Sequence, residues 1–496
     1  MTLPKSTSPQ SVPPESTRPE SSLPTTSLLT VLVWAMLAGS VLLIFVLGQV
    51  RFFDHDEFEA MHTTWKMFTG QEIYIDFLQH HHPFTYYLLL PLYNVFGAGT
   101  QVLLAGRVLM GVLLTLTLGT TYLIAFELYR DHLIAVTSTL FLSGFALFLD
   151  KMIEIRPDVP MSFVSLLGTY LALRGLRTRQ WWLFALSGAC FGLGLMFLQK
   201  AVVPLFGLGL VLLARIFSKQ LSWREVVIFG ASTLIPVAPY VLYLLLAGKL
   251  ETFFFFNFTY NTLYYRLRGW ELYKLIRNLG TLYRHNIIMI VFFLYLSFFL
   301  PKKRREWELL FLIASVLGFT MLTGRHNPQY YILAFPFIAI MAAYTFWDML
   351  RPRPVIAAFM LILIVGGPLE RYYGFLTTAD SSNRRHLGRI ERVLSLTEPD
   401  DYVYDGNIMF NLFRRDVDFI WYMTGEPYKA IETMETLADY DYDIYERIER
   451  LEPKVISSFG IDNMAHPVIA EHYEPDEVLE DIYVRRSDPA DTPGTD

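Results

Sequence analysis

Residues 28–58 read LLTVLVWAMLAGSVLLIFVLGQV-RFFDHDEF. The uncharged run from Leu28 to Val50 ends at Arg51, and the carboxylates Asp54, Asp56 and Glu57 follow within four positions. A helix of that length rises about 34 Å, enough to cross a hydrocarbon layer of about 30 Å. Carboxylates packed this densely repel one another, so placing them at the edge of a bilayer needs a reason. The stretch predicts a membrane protein with an acidic site held at one membrane surface.

The composition agrees. Of 496 residues, 53% are hydrophobic, 16% aromatic and only 18% charged, against about 25% charged in soluble domains. The net charge of -6 gives no basic surface for nucleic acid. One cysteine, Cys190, sits in an apolar run, so no disulfide forms within the chain. Residues 1–27 are rich in Ser, Pro and Thr and read as a disordered cytoplasmic tail without the pattern of a signal peptide.

Residues 28–369 read as a mostly α, polytopic transmembrane helical bundle. Behind Leu28–Val50, apolar runs recur at about Val108–Phe126, Leu133–Leu149, Val159–Leu173, Trp181–Leu198, Ala201–Phe217, Val226–Ala247, Asn286–Leu300, Leu309–Thr323, Tyr330–Trp347 and Pro354–Leu369. That makes about eleven spans, several of them short for a crossing. Thr85–Ala98 is apolar but short and contains Pro91 and Asn94, which fits an interfacial or re-entrant helix. Arg174, Arg177, Arg179, Arg215, Lys219, Arg224, Lys302–Arg305, Arg351 and Arg353 fall in alternate connections. The positive-inside rule puts these in the cytoplasm and the acidic loop of residues 51–100 outside. The expected location is the cell (inner) membrane, with the N-terminus cytoplasmic. Residues 370–496 are richer in charge and read as a small extracytoplasmic α/β domain. Its strands are Asp401–Asp405 and Pro453–Phe459, its helix is Glu432–Arg450, and its end is disordered.

Charged and polar residues then converge on the outer face. Asp54 can cap a helix running to about Phe68 with Glu57 completing a capping box, which by itself is a structural role. Asp56 would lie in the first turn, where the positive helix end keeps it ionised and able to accept a proton from a hydroxyl. His80, His81 and His82 precede Pro83 in the same loop. Consecutive side chains diverge, so at most two would bind one ion, and His81 and His82 with Asp56 or Glu57 offer ligands for a divalent metal as an alternative. Glu154, Arg156 and Asp158 form a second charged group, with interfacial anchoring as the plain alternative. Lys200 stands in a tight turn between two spans, where it can snorkel or bind an anionic head group. Arg325 and Tyr330 lie in a similar turn, and arginine can pair with phosphate bidentately. The aromatic loop Phe253–Tyr265 belongs to an interfacial belt or lines an entrance for an isoprenoid chain. Asn257-Phe258-Thr259 is a glycosylation sequon with no expected role.

In order and spacing, residues 28 to about 350 resemble the C-type glycosyltransferase superfamily (GT-C). The likeness is to bacterial lipid-A aminoarabinose transferase, protein O-mannosyltransferases and core galacturonosyltransferase-like proteins. The carrying residues are Asp56-Glu57, His82-Pro83 followed by Phe84 instead of a second proline, Asp158, Gln199-Lys200-Ala201, and Arg325 ahead of Tyr330. The resemblance implies a sugar donor on polyprenyl phosphate and an acceptor hydroxyl on a lipid, glycan or protein. It implies inversion at the anomeric carbon, with Asp56, Glu57 and Asp158 catalytic. His82, Lys200, Arg325 and Tyr330 would hold the donor phosphate, and Asp54, His81 and Arg156 would support them. No cofactor is required, and a divalent metal stays open. The competing readings are a flippase or transporter of lipid-linked sugars, an oligosaccharide ligase or polymerase, and a non-catalytic membrane scaffold.

Overall fold

The computed structural model describes residues 23–268, 270–298, 306–324, 326–377, 382–421 and 443–486. The first helix, α1 (Leu23–Val50), begins ahead of the expected boundary at residue 28 and absorbs the end of the expected tail. Pro24 is compatible with this start, because a first-turn residue has no intrahelical N–H bond to lose. The rest of the tail, the basic residues 302–305, part of the expected helix 432–450 and the chain end lie outside the described residues.

The outer loop folds into α2 (His55–Phe68) and α3 (Phe84–Phe96). The bundle continues with α4 (Thr100–Tyr129), α5 (His132–Ser143), α6 (Ala146–Met152), α7 (Asp158–Thr178), α8 (Trp181–Phe197), α9 (Val202–Phe217) and α10 (Trp223–Leu246). The short α11 (Leu250–Phe254), a π-helical turn over Phe255–Tyr260 and α12 (Asn261–Arg268) form the aromatic loop. Then come α13 (Leu272–Phe298), α14 (Glu306–Thr323), α15 (Phe335–Leu350) and α16 (Pro354–Thr377). Among the described residues, seven helices are long and apolar enough to cross a membrane, one bent pair could serve as an eighth crossing, and α8, α14 and α15 are shorter apolar helices. Together they account for the eleven expected runs. The short apolar run at 85–98 forms the helix α3. Its exposed face carries Tyr87, Val95 and Phe96.

One expected span is not straight. Leu133–Leu149 breaks between α5 and α6, which diverge by 72°. A break inside an apolar layer must satisfy the backbone groups it frees. Asn286 of α13 does so: its Nδ2 donates to the Gly144 carbonyl at 2.7 Å and its Oδ1 accepts from the Ala146 N–H at 3.2 Å. The bend turns α6 and the loop after it, residues 153–157, toward α2.

Elsewhere the bundle is tightened by close backbone approach. On α8, Gly188 and Gly192 meet α10 so closely that an added Cβ would lie 2.1 Å from the Phe229 and Thr233 carbonyl oxygens respectively. Small residues serve this purpose where neighbouring helices must touch without much hydrophobic driving force.

Beyond α16, which runs past the expected boundary at 369, the chain forms α17 (Arg384–Leu396), β1 (Val403–Tyr404), α18 (Ile444–Leu451), β2 (Val455–Ser457), α19 (Pro467–His472), β3 (Tyr473–Pro475) and β4 (Ile482–Arg485). The sheet order is β1-β2-β4-β3, with β1 parallel to β2 and the other neighbours antiparallel. The two expected strand segments contain β1 and β2. The sequence reading missed β3 and β4. This unit docks on α2 and the loop after it. The Leu78 N–H donates to the Phe419 carbonyl at 3.0 Å and Trp421 Nε1 donates to the Leu78 carbonyl at 2.9 Å. His62 on α2 contacts both the Leu412 carbonyl and Asp416.

Candidate active site

The acidic stretch folds as a capped helix start. Asp54 is the N-cap of α2: its carboxylate accepts from the Asp56 N–H, and the Glu57 carboxylate accepts from the Asp54 N–H at 2.9 Å, closing the capping box. Glu57 does more than cap. It is fully buried and also accepts from the Ile155 N–H at 3.1 Å and from Arg107 Nε and Nη2 at 2.8 and 2.6 Å. With that, both of its oxygens are doubly bonded. Arg107 in turn donates to the Gly48, Arg51 and Phe52 carbonyls and lies over the Phe53 ring, 4.0 Å from its centroid. Glu57 therefore ties α1, α2, α4 and the 153–157 loop together, and it has no lone pair left for a substrate.

Asp56 stands apart. Its side chain is 44% exposed and pairs with Arg156 Nη1 at 2.5 Å. Arg156 is the hub of the site, with Glu154 at 3.1 Å, Asp158 at 3.6 Å and Asp54 at 3.7 Å. Glu154 is buried and also accepts from Arg51 and Lys151, both at 2.9 Å. Lys151 reaches on to Asp54 at 3.0 Å. Burial opposes ionisation of Asp54, yet Lys151 and Arg156 outweigh it and hold its carboxyl well below the usual carboxylate range.

Asp158, the first residue of α7, binds Lys200 Nζ at 2.9 Å. Lys200 lies in a 3₁₀ turn between α8 and α9, 4.2 Å from the centroid of the Tyr330 ring. The fold thus brings Asp54, Asp56, Glu57, Arg156, Asp158, Lys200 and Tyr330 to one end of the bundle. Arg325 lies outside the described residues.

The three histidines diverge. His82 Nδ1 lies 2.5 Å from the Leu195 carbonyl, which can only accept, so that nitrogen carries the proton. Burial pushes the ring's pKa down to about 4. At neutral pH, Nε2 is then a buried lone pair without a hydrogen-bond partner, which does not suit donation to a phosphate oxygen. The phosphate role expected of His82 from the sequence meets this obstacle, and among the described residues the possible metal ligands gather around His80 and His81 rather than His81 and His82.

His80 and His81 instead face Glu59, one turn beyond Asp56 on α2. The distances to Glu59 Oε1 are 3.8 Å from His80 Nδ1 and 4.0 Å from His81 Nε2. Burial, reinforced by the Asp56 charge, raises the Glu59 carboxyl to about 8. Burial lowers His80 to about 4, and burial with the neighbouring cations lowers His81 well below its usual range. The set fits a divalent cation. One ligand atom from each of the three residues comes within 4.8 Å of the others, the imidazoles are in their neutral ligating form, and Glu59 Oε1 is buried without a hydrogen-bond partner.

The loop is fixed from outside. Tyr74 donates to the His81 carbonyl at 2.7 Å, Asn261 to the His80 carbonyl at 2.8 Å, and Gln79 Oε1 accepts from the His80 and His81 N–H groups. An aromatic lane continues toward the bundle's outer surface. His82 lies 5.4 Å from Phe253, Phe253 6.0 Å from Tyr240, and Tyr240 5.7 Å from Phe84. Tyr240, Phe84, Tyr87 and Tyr243 line an apolar groove of about 390 Å³. The sequon asparagine Asn257 is buried in the π-helical turn and bonded to the Phe253 carbonyl, so it is closed to modification.

The family model for dolichyl-phosphate-mannose-protein mannosyltransferases matches residues 80–243, from the histidine loop into α10. Among solved structures, the chain is similar to ArnT from Cupriavidus metallidurans bound to undecaprenyl phosphate. That similarity has a TM-score of 0.67 at 14% identity, over 92% of this chain and 98% of that one. It is also similar to the archaeal oligosaccharyltransferase AglB from Archaeoglobus fulgidus in complex with an inhibitory peptide and a dolichol-phosphate. There the TM-score is 0.53 at 13% identity, over 94% of this chain and 75% of that one. The Archaeoglobus fulgidus oligosaccharyltransferase in complex with Zn and sulfate gives a TM-score of 0.51 at 13% identity, over 89% and 71% of the two chains. No curated protein matches the chain significantly by sequence. The fold is that of the C-type glycosyltransferases, and its many apolar helices make the chain a multi-pass membrane protein.

Proposed function

We propose that this protein transfers a sugar from a polyprenyl-phosphate donor to an acceptor hydroxyl at the extracytoplasmic face of the cell membrane, with Asp56 as general base. The observation that carries the reading is the division of labour among the carboxylates. Asp54 and Glu57 are occupied in holding the helix start, while Asp56 is left open beside Arg156. The structural neighbours solved with undecaprenyl phosphate and dolichol-phosphate support the donor class.

In the reaction, Asp56 accepts the proton of the acceptor hydroxyl as its oxygen bonds to the anomeric carbon. The bond from that carbon to the phosphate oxygen breaks, and the electron pair leaves with polyprenyl phosphate. One displacement inverts the anomeric centre. Lys200, braced by Asp158 and Tyr330, supplies the cation for the leaving phosphate, and Arg325 joins it. His82 can donate there only once protonated, a state that a bound phosphate dianion favours. Arg156 keeps Asp56 oriented. The groove at Tyr240 takes the first isoprene units. A divalent cation on Glu59, His80 and His81 would supply positive charge beside the Asp56 turn.

The test is a panel of labelled polyprenyl-phosphate sugars offered to the purified protein with membrane extract, the product's anomeric configuration being read by NMR. Transfer with inversion is expected. Retention would contradict the single displacement. Movement of labelled lipid between leaflets without transfer would replace the reading with a flippase.

A further inference from the structure

Helix α2 carries Asp56 near one end and Lys66 near the other. Ten residues of helix separate them by about 15 Å. Lys66 is buried at 2% exposure and forms the floor of a cleft of about 410 Å³ at the seam between α2 and the C-terminal unit. None of the residues so far given a chemical role reaches it.

The charges of this cleft are not all spent. Lys66 is ion-paired with Asp416, which also accepts from His62 Nε2 at 2.9 Å and Asn411 Nδ2 at 2.8 Å. Asp418 is paired with Arg447 at 2.9 Å. Among the described residues Arg415 is paired only with Asp400, and both side chains are exposed, 49% and 85%. A pair that open to water is weak and exchanges readily. Arg450 is exposed on the rim and has no ion pair or hydrogen bond among the described residues. Two guanidinium groups can therefore turn to an anion. Asp76 and the Tyr402 ring complete the walls. Guanidinium forks match carboxylate and phosphate oxygens, while a carboxylate and a phenol accept and donate to hydroxyls.

We propose that this cleft is an acceptor subsite for an acidic saccharide, its carboxylate or phosphate on Arg415 and Arg450 and its hydroxyls on Asp76 and Tyr402. Because α2 is one continuous helix, the subsite stands at a fixed distance from Asp56. An acceptor gripped by its acidic end would present a hydroxyl to the base from a constant offset. The inference rests on the transferase reading for its purpose but not for its test.

The test measures binding of three fluorescent oligosaccharides of equal length to the full-length protein in nanodiscs. One is a uronic-acid oligomer, one carries phosphate monoesters and one is neutral. Wild type should bind at least one acidic probe and not the neutral one, and which acid binds identifies the anion. The double variant Arg415→Glu/Arg450→Glu should lose affinity by about tenfold or more, with an unchanged melting temperature. Equal binding of the neutral probe, no binding of either acidic probe, or undiminished binding by the double variant would overturn the subsite. Binding by wild type without any sugar transfer would overturn the transferase reading and leave the subsite standing.

Discussion

The two ends of the helical bundle use charge differently. At the end away from α2, acids pair locally with arginines that reach into water. Glu127 holds Arg130 at 2.8 Å and Arg177 at 2.7 Å, and those arginine side chains are 42% and 36% exposed. Asp131 caps α5 and meets Arg351, and Glu308 meets Arg215. Each set is a small staple of two or three side chains. At the α2 end, by contrast, Arg51, Arg107, Lys151, Arg156 and Lys200 share the carboxylates Asp54, Asp56, Glu57, Glu154 and Asp158, with Glu59 protonated beside them. Most of these groups are buried, so removing a buried member leaves a neighbour uncompensated. Staples can be lost singly, whereas a shared network holds one carboxylate open at a fixed place.

That contrast can be broken most severely at Arg107. Replacing it with Met leaves the buried Glu57 without its ion-pair partner, and the expected destabilisation is about 3–5 kcal/mol. Thermal unfolding in detergent measures it, and a melting temperature equal to wild type would mean that the network is not what secures α2. Lys200→Ala removes the cation assigned to the leaving phosphate. The KM for the donor should rise about tenfold or more, with Lys200→Arg recovering part of the loss. An unchanged KM would remove Lys200 from the phosphate site.

Glu59 sharpens the comparison through pH. Its folded pKa of about 8 lies above the usual 4.5. Its contribution to stability is therefore fully present below 4.5 and declines as pH rises through about 8. Wild type should melt lower at alkaline than at neutral pH, and Glu59→Gln should flatten that slope. Added Zn²⁺ should restore the alkaline melting temperature of wild type but not of the variant. Parallel slopes for the two proteins would place Glu59 in water. The smallest effect is expected at the opposite end of the bundle. Arg351→Ala should cost no more than about 1 kcal/mol, and a larger loss would show that the exposed staples also act as a network.

The helices were legible because a membrane demands long uncharged runs, and each expected run became helical, one of them as the bent pair α5 and α6. The break at Gly144 was not, because the side chain that makes it tolerable, Asn286, lies 142 residues further along. Arg107 was hidden for a related reason. It stands just ahead of the run that begins at Val108 and reads as a flanking cation, but the fold buries it against Glu57. Glu59 carried a local signal that was passed over, since a carboxylate three residues beyond Asp56 shares its helix face. That the three histidines diverge was legible, but only the backbone shows that His82 is the one that turns away, toward Leu195. In the C-terminal unit, β3 is three residues long and ends in Pro475, which belongs at a sheet edge. Strands that short leave no alternation to read.

The central claim is that Asp56 alone among the acids of residues 54–57 takes the proton. The most direct measurement is the turnover of Asp56→Asn with the donor that wild type uses, alongside its melting temperature. The account predicts a fall of about 10²- to 10⁴-fold in a protein that melts like wild type, since Asp56 is partly exposed and Arg156 keeps three other acidic partners. Turnover equal to wild type would contradict it and move the base elsewhere in the site.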